Sequence, residues 1–173
     1  MNPIKIVNYT AEHQPWFEKF NREWIEKYFW LEDIDRFVLS HPEDAILYHG
    51  GAILMGLYNN EIAGTVALMK VSDEVYELAK LAVGEQYRRK GIADALCKAA
   101  IYKAKELGAA KIILYSQTVL RPALLLYNKL GFKEVPIELG IYERADVKME
   151  LNNVQTWQFS SNNTYKINKL ELS

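Results

Sequence analysis

Apolar and polar positions change period several times along this chain, and each change marks an element. From Val75 to Val83 the run opens on Val75 and Tyr76, closes on Val83 and contains neither Pro nor Gly, which predicts a strand. From about Gly91 to Leu107 the pattern turns helical, with Ile92, Leu96, Ala99, Ala100, Lys103 and Leu107 along one face and Gly108 as the stop. Lys111 to Tyr115 is a short apolar strand, and the crossover before it is long enough for a parallel pair with a right-handed connection. A second helix follows from Arg121 to Leu130, tolerating Pro122 in its first turn and closed by Gly131. Gly131-Phe132-Lys133 opens a further strand.

The flanking regions read more coarsely. Ile4 to Tyr9 is a strand, and Ala11 to Tyr28 a helix with Trp16, Phe20, Trp24 and Tyr28 along its buried stripe. A shorter helix spans Leu31 to Ser40. Gly51 to Tyr58 and Glu61 to Val71 form a hairpin around Asn59-Asn60, residues that accept the positive φ of a tight turn. The last strand of the body is Tyr142 to Leu151. Residues 1–151 make one domain, and 152–173 an extension in which Thr156 to Phe159 and Tyr165 to Ile167 flank Ser160 to Asn163 as a hairpin, a candidate for pairing with a second copy.

Composition narrows the function classes. With 173 residues, half of them apolar, the chain can bury a substantial core. A net charge of −1 gives no broad basic surface for nucleic acid. No apolar run approaches membrane-spanning length, and the N-terminus lacks a leader pattern. The lone Cys97 permits no internal disulfide, so a reducing, cytoplasmic compartment is expected. His13, His41 and His49 show no metal-ligand spacing, and the phosphate loops of dinucleotide and nucleotide enzymes are absent, as is the serine elbow of the hydrolases.

The chemistry concentrates where the strand ending at Val83 hands over to the long helix, at Arg88-Arg89-Lys90-Gly91-Ile92-Ala93. A helix start leaves its first amides without internal partners and carries partial positive charge, so a phosphate there is stabilised twice. Gly91 and Ala93 let the backbone come close, and three cations beside it suit a diphosphate. Taken alone, the same six residues also read as a solvated charge run before an ordinary helix.

Their surroundings decide. Glu77-Leu78-Ala79-Lys80-Leu81-Ala82-Val83, then Arg88-x-x-Gly91-x-Ala93, then Ala123-x-x-Leu126-Tyr127-x-Lys129-Leu130-Gly131-Phe132, resemble in order and spacing the GNAT superfamily of acyl-CoA-dependent N-acetyltransferases. The resemblance is strong over residues 75–133 and looser over 4–151. It implies an α/β (α+β) fold: a mixed sheet of about seven strands flanked by about four helices, splayed between the fourth and fifth strands. It also implies acetyl-CoA as cosubstrate, its diphosphate on residues 88–93 and its pantetheine arm along the backbone of Leu81, Ala82 and Val83.

The resemblance brings two side chains forward. Tyr127 matches the tyrosine that in many members protonates the departing thiolate, and a phenol near pKa 10 is roughly matched to a thiol near 8.5. Tyrosine in so apolar a helix also reads as ordinary core. Glu77 stands where some members carry a general base, and an amine must be neutral to attack. Cys97, among Ala95, Leu96, Ala99 and Ala100, reads as a packed thiol, so direct attack by a primary amine is expected. The acceptor would meet two caps: the aromatic link with Tyr28, Phe29 and Trp30, and the loop of roughly Pro136 to Arg144 with Tyr142. Leu120 departs from the asparagine many members have there. A non-catalytic acyl-CoA sensor on the same fold is the alternative.

Overall fold

A computed structural model describes residues 2–159. Among these residues seven strands form one sheet: β1 (Ile4–Asn8), β2 (Ala52–Tyr58), β3 (Glu61–Lys70), β4 (Val75–Val83), β5 (Lys111–Ser116), β6 (Lys133–Val135) and β7 (Val147–Leu151), in the order β1-β2-β3-β4-β5-β7-β6. Only β4 and β5 pair in parallel; the other neighbours are antiparallel. Among the described residues the helices are α1 (Gln14–Tyr28), α2 (Asp33–Ser40), α3 (Pro42–Ala45), α4 (Ile92–Glu106) and α5 (Arg121–Leu130). None is long and apolar enough to cross a membrane.

The helices cover the sheet on both faces. One buried cluster joins α4 and α5 to Leu54, Val66, Leu68, Leu78, Ile112 and Leu114. The other joins α1 and α2 to Ile53, Met55 and Ala67, whose side chains point the opposite way as the pleat requires. Gly64 permits the close approach of α4: a Cβ there would lie 2.9 Å from the Ala82 carbonyl oxygen and 3.1 Å from Leu96 Cδ1.

Between β3 and β4 the register slips, with Thr65 opposite Ala82 but Ala67 opposite Ala79, so two residues of β4 face one of β3. Lys80 sits in this bulge at φ +55°, a conformation that costs a non-glycine residue about 1–3 kcal/mol and persists only when its surroundings hold it. They do. The Thr65 hydroxyl donates to the Lys80 carbonyl at 3.0 Å, and the buried Asn21 amide donates to Thr65 Oγ1 at 3.0 Å. On the other side, β5 bonds β4 only over Val75, Tyr76 and Glu77, after which the two strands part. This is the expected splay.

Four expectations need correction. The buried stripe of α1 is Phe17, Phe20, Asn21 and Ile25, while Trp16 and Tyr28 are exposed and Trp24 is half-buried. Residues spaced strictly four apart drift about 40° per step around an α-helix, so the tryptophan-led series leaves the core face. The second helix begins at Asp33, capped by Glu32, and is followed by α3 and a 3₁₀ turn at Leu47–His49. The last strand begins at Val147 rather than Tyr142, and from the loop before it Tyr142 bonds to Glu77 of β4 and Arg144 to Asp35 of α2. Finally, Val154–Thr156 is a 3₁₀ turn, and residues 157–159 belong to no strand. Trp157 packs into the α4–α5 core and donates its indole N–H to the Leu130 carbonyl at 2.8 Å. The second half of the expected hairpin lies outside the described residues.

Candidate active site

The parting of β4 from β5 opens a cavity of about 610 Å³ that runs from the start of α4 to the α1–α2 link. At one end are Arg88, Arg89, Gly91, Ile92 and Ala93. Arg89 (φ +61°) and Gly91 (φ +84°) both turn the backbone left-handed, and Gly91, the N-cap of α4, has no side chain with which to cap it. First-turn amides at the start of a fifteen-residue helix have the geometry and partial positive charge that can receive an anion. Lys90 stands apart from the cavity, its Nζ 5.0 Å from the centre of the Tyr58 ring. Asp94, in the first turn, is held by Lys98 at 2.7 Å and Lys129 at 3.3 Å.

The middle of the cavity is bounded by β4. Leu81, Ala82 and Val83 line it, and beyond Glu77 the β5-facing backbone of β4 has no strand partner among the described residues. Tyr127 lines the same stretch from α5 and is buried. Burial pushes its phenol far above the ordinary value, so the ring enters any reaction protonated. No hydrogen bond is made by its hydroxyl among the described residues. Leu120 also lines the cavity and offers no polar atom there from its side chain. Cys97 is fully buried, and its thiol is raised by that burial, as befits a packing residue.

At the far end lies Glu77, only 9% exposed. Burial raises its carboxyl above the ordinary value; a hydrogen bond donated by the Tyr142 hydroxyl at 2.9 Å and the positive field of Lys80 oppose this. The Tyr142 ring meets Tyr115 edge to face at 5.4 Å. Tyr28 and Phe29 join this end of the cavity, whereas Trp30 does not and is 57% exposed.

A group of residues not singled out by sequence ties this end together. Asp35 of α2 is fully buried and accepts both Arg144 N–H groups, at 2.6 and 2.9 Å, along with the Lys80 ammonium at 3.0 Å and the Glu32 amide at 3.0 Å. Arg144 also reaches Glu32 at 2.5 Å. Burial works to raise the Asp35 carboxyl, but the Arg144 hydrogen bonds and the Lys80 charge bring it down to about 2. Both cations near Glu77 are therefore already engaged. The advance signal was that Glu32 and Arg144 fall within the expected cap segments and Asp35 just beyond one, while Lys80 belongs to the β4 run.

Among the described residues, no cluster of three or more His, Cys, Asp or Glu side chains could hold a metal.

Comparison with known proteins agrees with this architecture. Mycothiol acetyltransferase of Corynebacterium efficiens is 27% identical over 139 residues, covering 76% of this chain but 47% of that longer protein. The chain thus spans less than half of that relative's length. An N-alpha-acetyltransferase of Saccharolobus solfataricus is 29% identical over 136 residues, 65% of this chain and 81% of its own. A GNAT family acetyltransferase of Elizabethkingia anophelis, solved with acetyl-CoA bound, superposes with a TM-score of 0.60 at 24% identity, over 88% of this chain and 99% of the other. Residues 9–132, which hold the anion turn, the splayed strand, Glu77 and Tyr127, match the Acetyltransferase (GNAT) family model, and the chain belongs to that family.

Proposed function

We propose that this protein is an acetyl-CoA-dependent N-acetyltransferase in which a primary amine attacks the thioester directly. One observation carries the reading: a single cavity joins bare helix-start amides at one end to a buried carboxylate at the other, with a protonated phenol along its wall. Its residues fit acetyl-CoA. The turn at Arg88, Arg89, Gly91, Ile92 and Ala93 would hold the diphosphate, and the unpartnered edge of β4 at Leu81, Ala82 and Val83 would bond the amide-bearing arm as an added strand.

Acetyl-CoA supplies an activated acyl carbon and a thiolate leaving group. Glu77 takes a proton from the acceptor ammonium, directly or through water, and burial, by raising its pKa, makes it a better base than an ordinary glutamate. Free backbone N–H groups of β4 stabilise the developing oxyanion. Tyr127 holds a proton at Oη for the departing sulfur, and the same apolar surroundings that raise the phenol also raise the basicity of a thiolate formed there.

Tyr28, Phe29, Tyr115 and Tyr142 give the acceptor end an aromatic lining, and Glu77 is its carboxylate without a full cationic partner. That suits a cationic amine. The decisive experiment offers the purified protein acetyl-CoA with a panel of amines, amino acids and short peptides and follows release of free thiol. Turnover is expected with at least one class. Saturable acetyl-CoA binding with no turnover on any amine would overturn catalysis and leave the sensor.

A further inference from the structure

We propose that Asp35 is a positioning residue, whose carboxylate grips Arg144 and Lys80 together and thereby fixes the 136–146 loop against β4 so that the Tyr142 hydroxyl stays on Glu77. The geometry is specific. Asp35 lies on α2, Lys80 in the bulge of β4, and Arg144 in the loop two residues beyond Tyr142. One fully buried carboxylate thus joins three elements that share no strand ladder, through a two-pronged bond to a planar guanidinium that a lysine could not copy. The Arg144 charge is spent on Asp35 and Glu32, which leaves it a structural clasp instead of a ligand for the acceptor.

Glu77 feels this clasp through Tyr142. The groups facing it are Tyr142 from the loop, Lys80 from its own strand and Tyr115 from β5; those facing Asp35 are Arg144, Lys80 and Glu32. Glu138 is held by Tyr115 and Lys148, and Asp146 by Thr118 and the Ser116 carbonyl, so loss of the clasp frees the stretch between them, and the Tyr142 hydroxyl leaves the carboxylate it now supports. The proposal depends on the acyl-transfer reading only for its effect on turnover; the contact itself can be tested without any ligand.

The experiment follows the Glu77 carboxyl by carbon NMR in the full chain, free of acetyl-CoA, as pH is varied. In the parent protein, Tyr142→Phe is expected to move the Glu77 midpoint upward, because a hydrogen bond to the ionised form is lost. In an Asp35→Asn background, the same Tyr142→Phe change is expected to move it no further. Arg144→Gln, a loop substitution that leaves Asp35 paired with Lys80, should abolish the effect in the same way and decides the matter if Asp35→Asn fails to fold. An equal shift in both backgrounds, or none in the parent, overturns the proposal. In turnover assays the double variant Asp35→Asn/Tyr142→Phe should be no slower than the slower of its two parents. Absence of turnover in the unaltered protein would instead refute the catalytic reading and leave the NMR result standing.

Discussion

The Tyr142 hydroxyl donates to Glu77 Oε2 at 2.9 Å across 65 positions of sequence, so the proposed general base is itself oriented by a side chain from the loop above it. Glu77 then has a fixed direction as well as a raised pKa.

Glu77→Gln is expected to lower kcat/KM by about 10²- to 10⁴-fold, the usual contribution of a positioned general base. Only the ionised carboxylate accepts a proton, so the parent activity should fall as pH drops through a midpoint above the ordinary glutamate value. Glu77→Gln should lose that acidic limb. A pH profile of kcat/KM for both proteins checks it, and an unchanged limb in the variant would assign the titration elsewhere.

Tyr127→Phe should reduce kcat by at least about tenfold and leave acetyl-CoA affinity within about twofold, since a hydroxyl acting on the leaving group matters in the transition state more than in binding. The ring and its edge-to-face contact with Phe132 at 6.0 Å survive the change. Turnover and calorimetric binding, measured side by side, separate the two effects.

Gly91→Val should weaken acetyl-CoA binding by more than about tenfold. Gly91 precedes α4 at φ +84°, where an L residue costs about 1–2 kcal/mol and a β-branched one more, so a modest fall in melting temperature is expected too. Calorimetry at a temperature where both proteins are folded reads the affinity change, and equal dissociation constants would refute the anion turn.

Asp35→Asn should destabilise the fold by about 3–5 kcal/mol near neutral pH, because it leaves buried cations short of an anion. The Asp35 pKa falls from an ordinary value near 3.9 to about 2 on folding, so its contribution is complete above roughly pH 4 and is lost as pH drops toward 2. That pH-dependent part is about 2–3 kcal/mol. Denaturant melts across this range should show the gap between the two proteins narrowing with acid.

The strand, helix, strand, helix run from Val75 to Leu130 was legible because glycines punctuate it: Gly91, Gly108 and Gly131 all take positive φ where an element starts or stops. The candidate anion turn could be named for the same reason, beside Gly91 at the start of the long helix, whereas Tyr127 came forward only through the family resemblance. The Asp35 clasp could not. Its members are separated by up to 109 positions, and charge pairs that distant leave no periodicity in a sequence. Nor could the bulge at Lys80, where an ordinary lysine occupies an unusual backbone state stabilised by Asn21 and Thr65 from other elements. The start of the last strand was misplaced at Tyr142, because nothing in the residues 142–146 shows that the loop runs on to Asp146 before the strand opens at Val147.

The divergence of β4 and β5 beyond Glu77 leaves a rip through the middle of the sheet, held open by the fold itself. Whatever lies in that rip with backbone-like amides mends it, replacing missing rungs on the β4 side. Occupancy and rigidity are thus one property in this protein: a filled seam should resist heat and hydrogen exchange better than a bare one, and the gain should grow with the logarithm of ligand concentration.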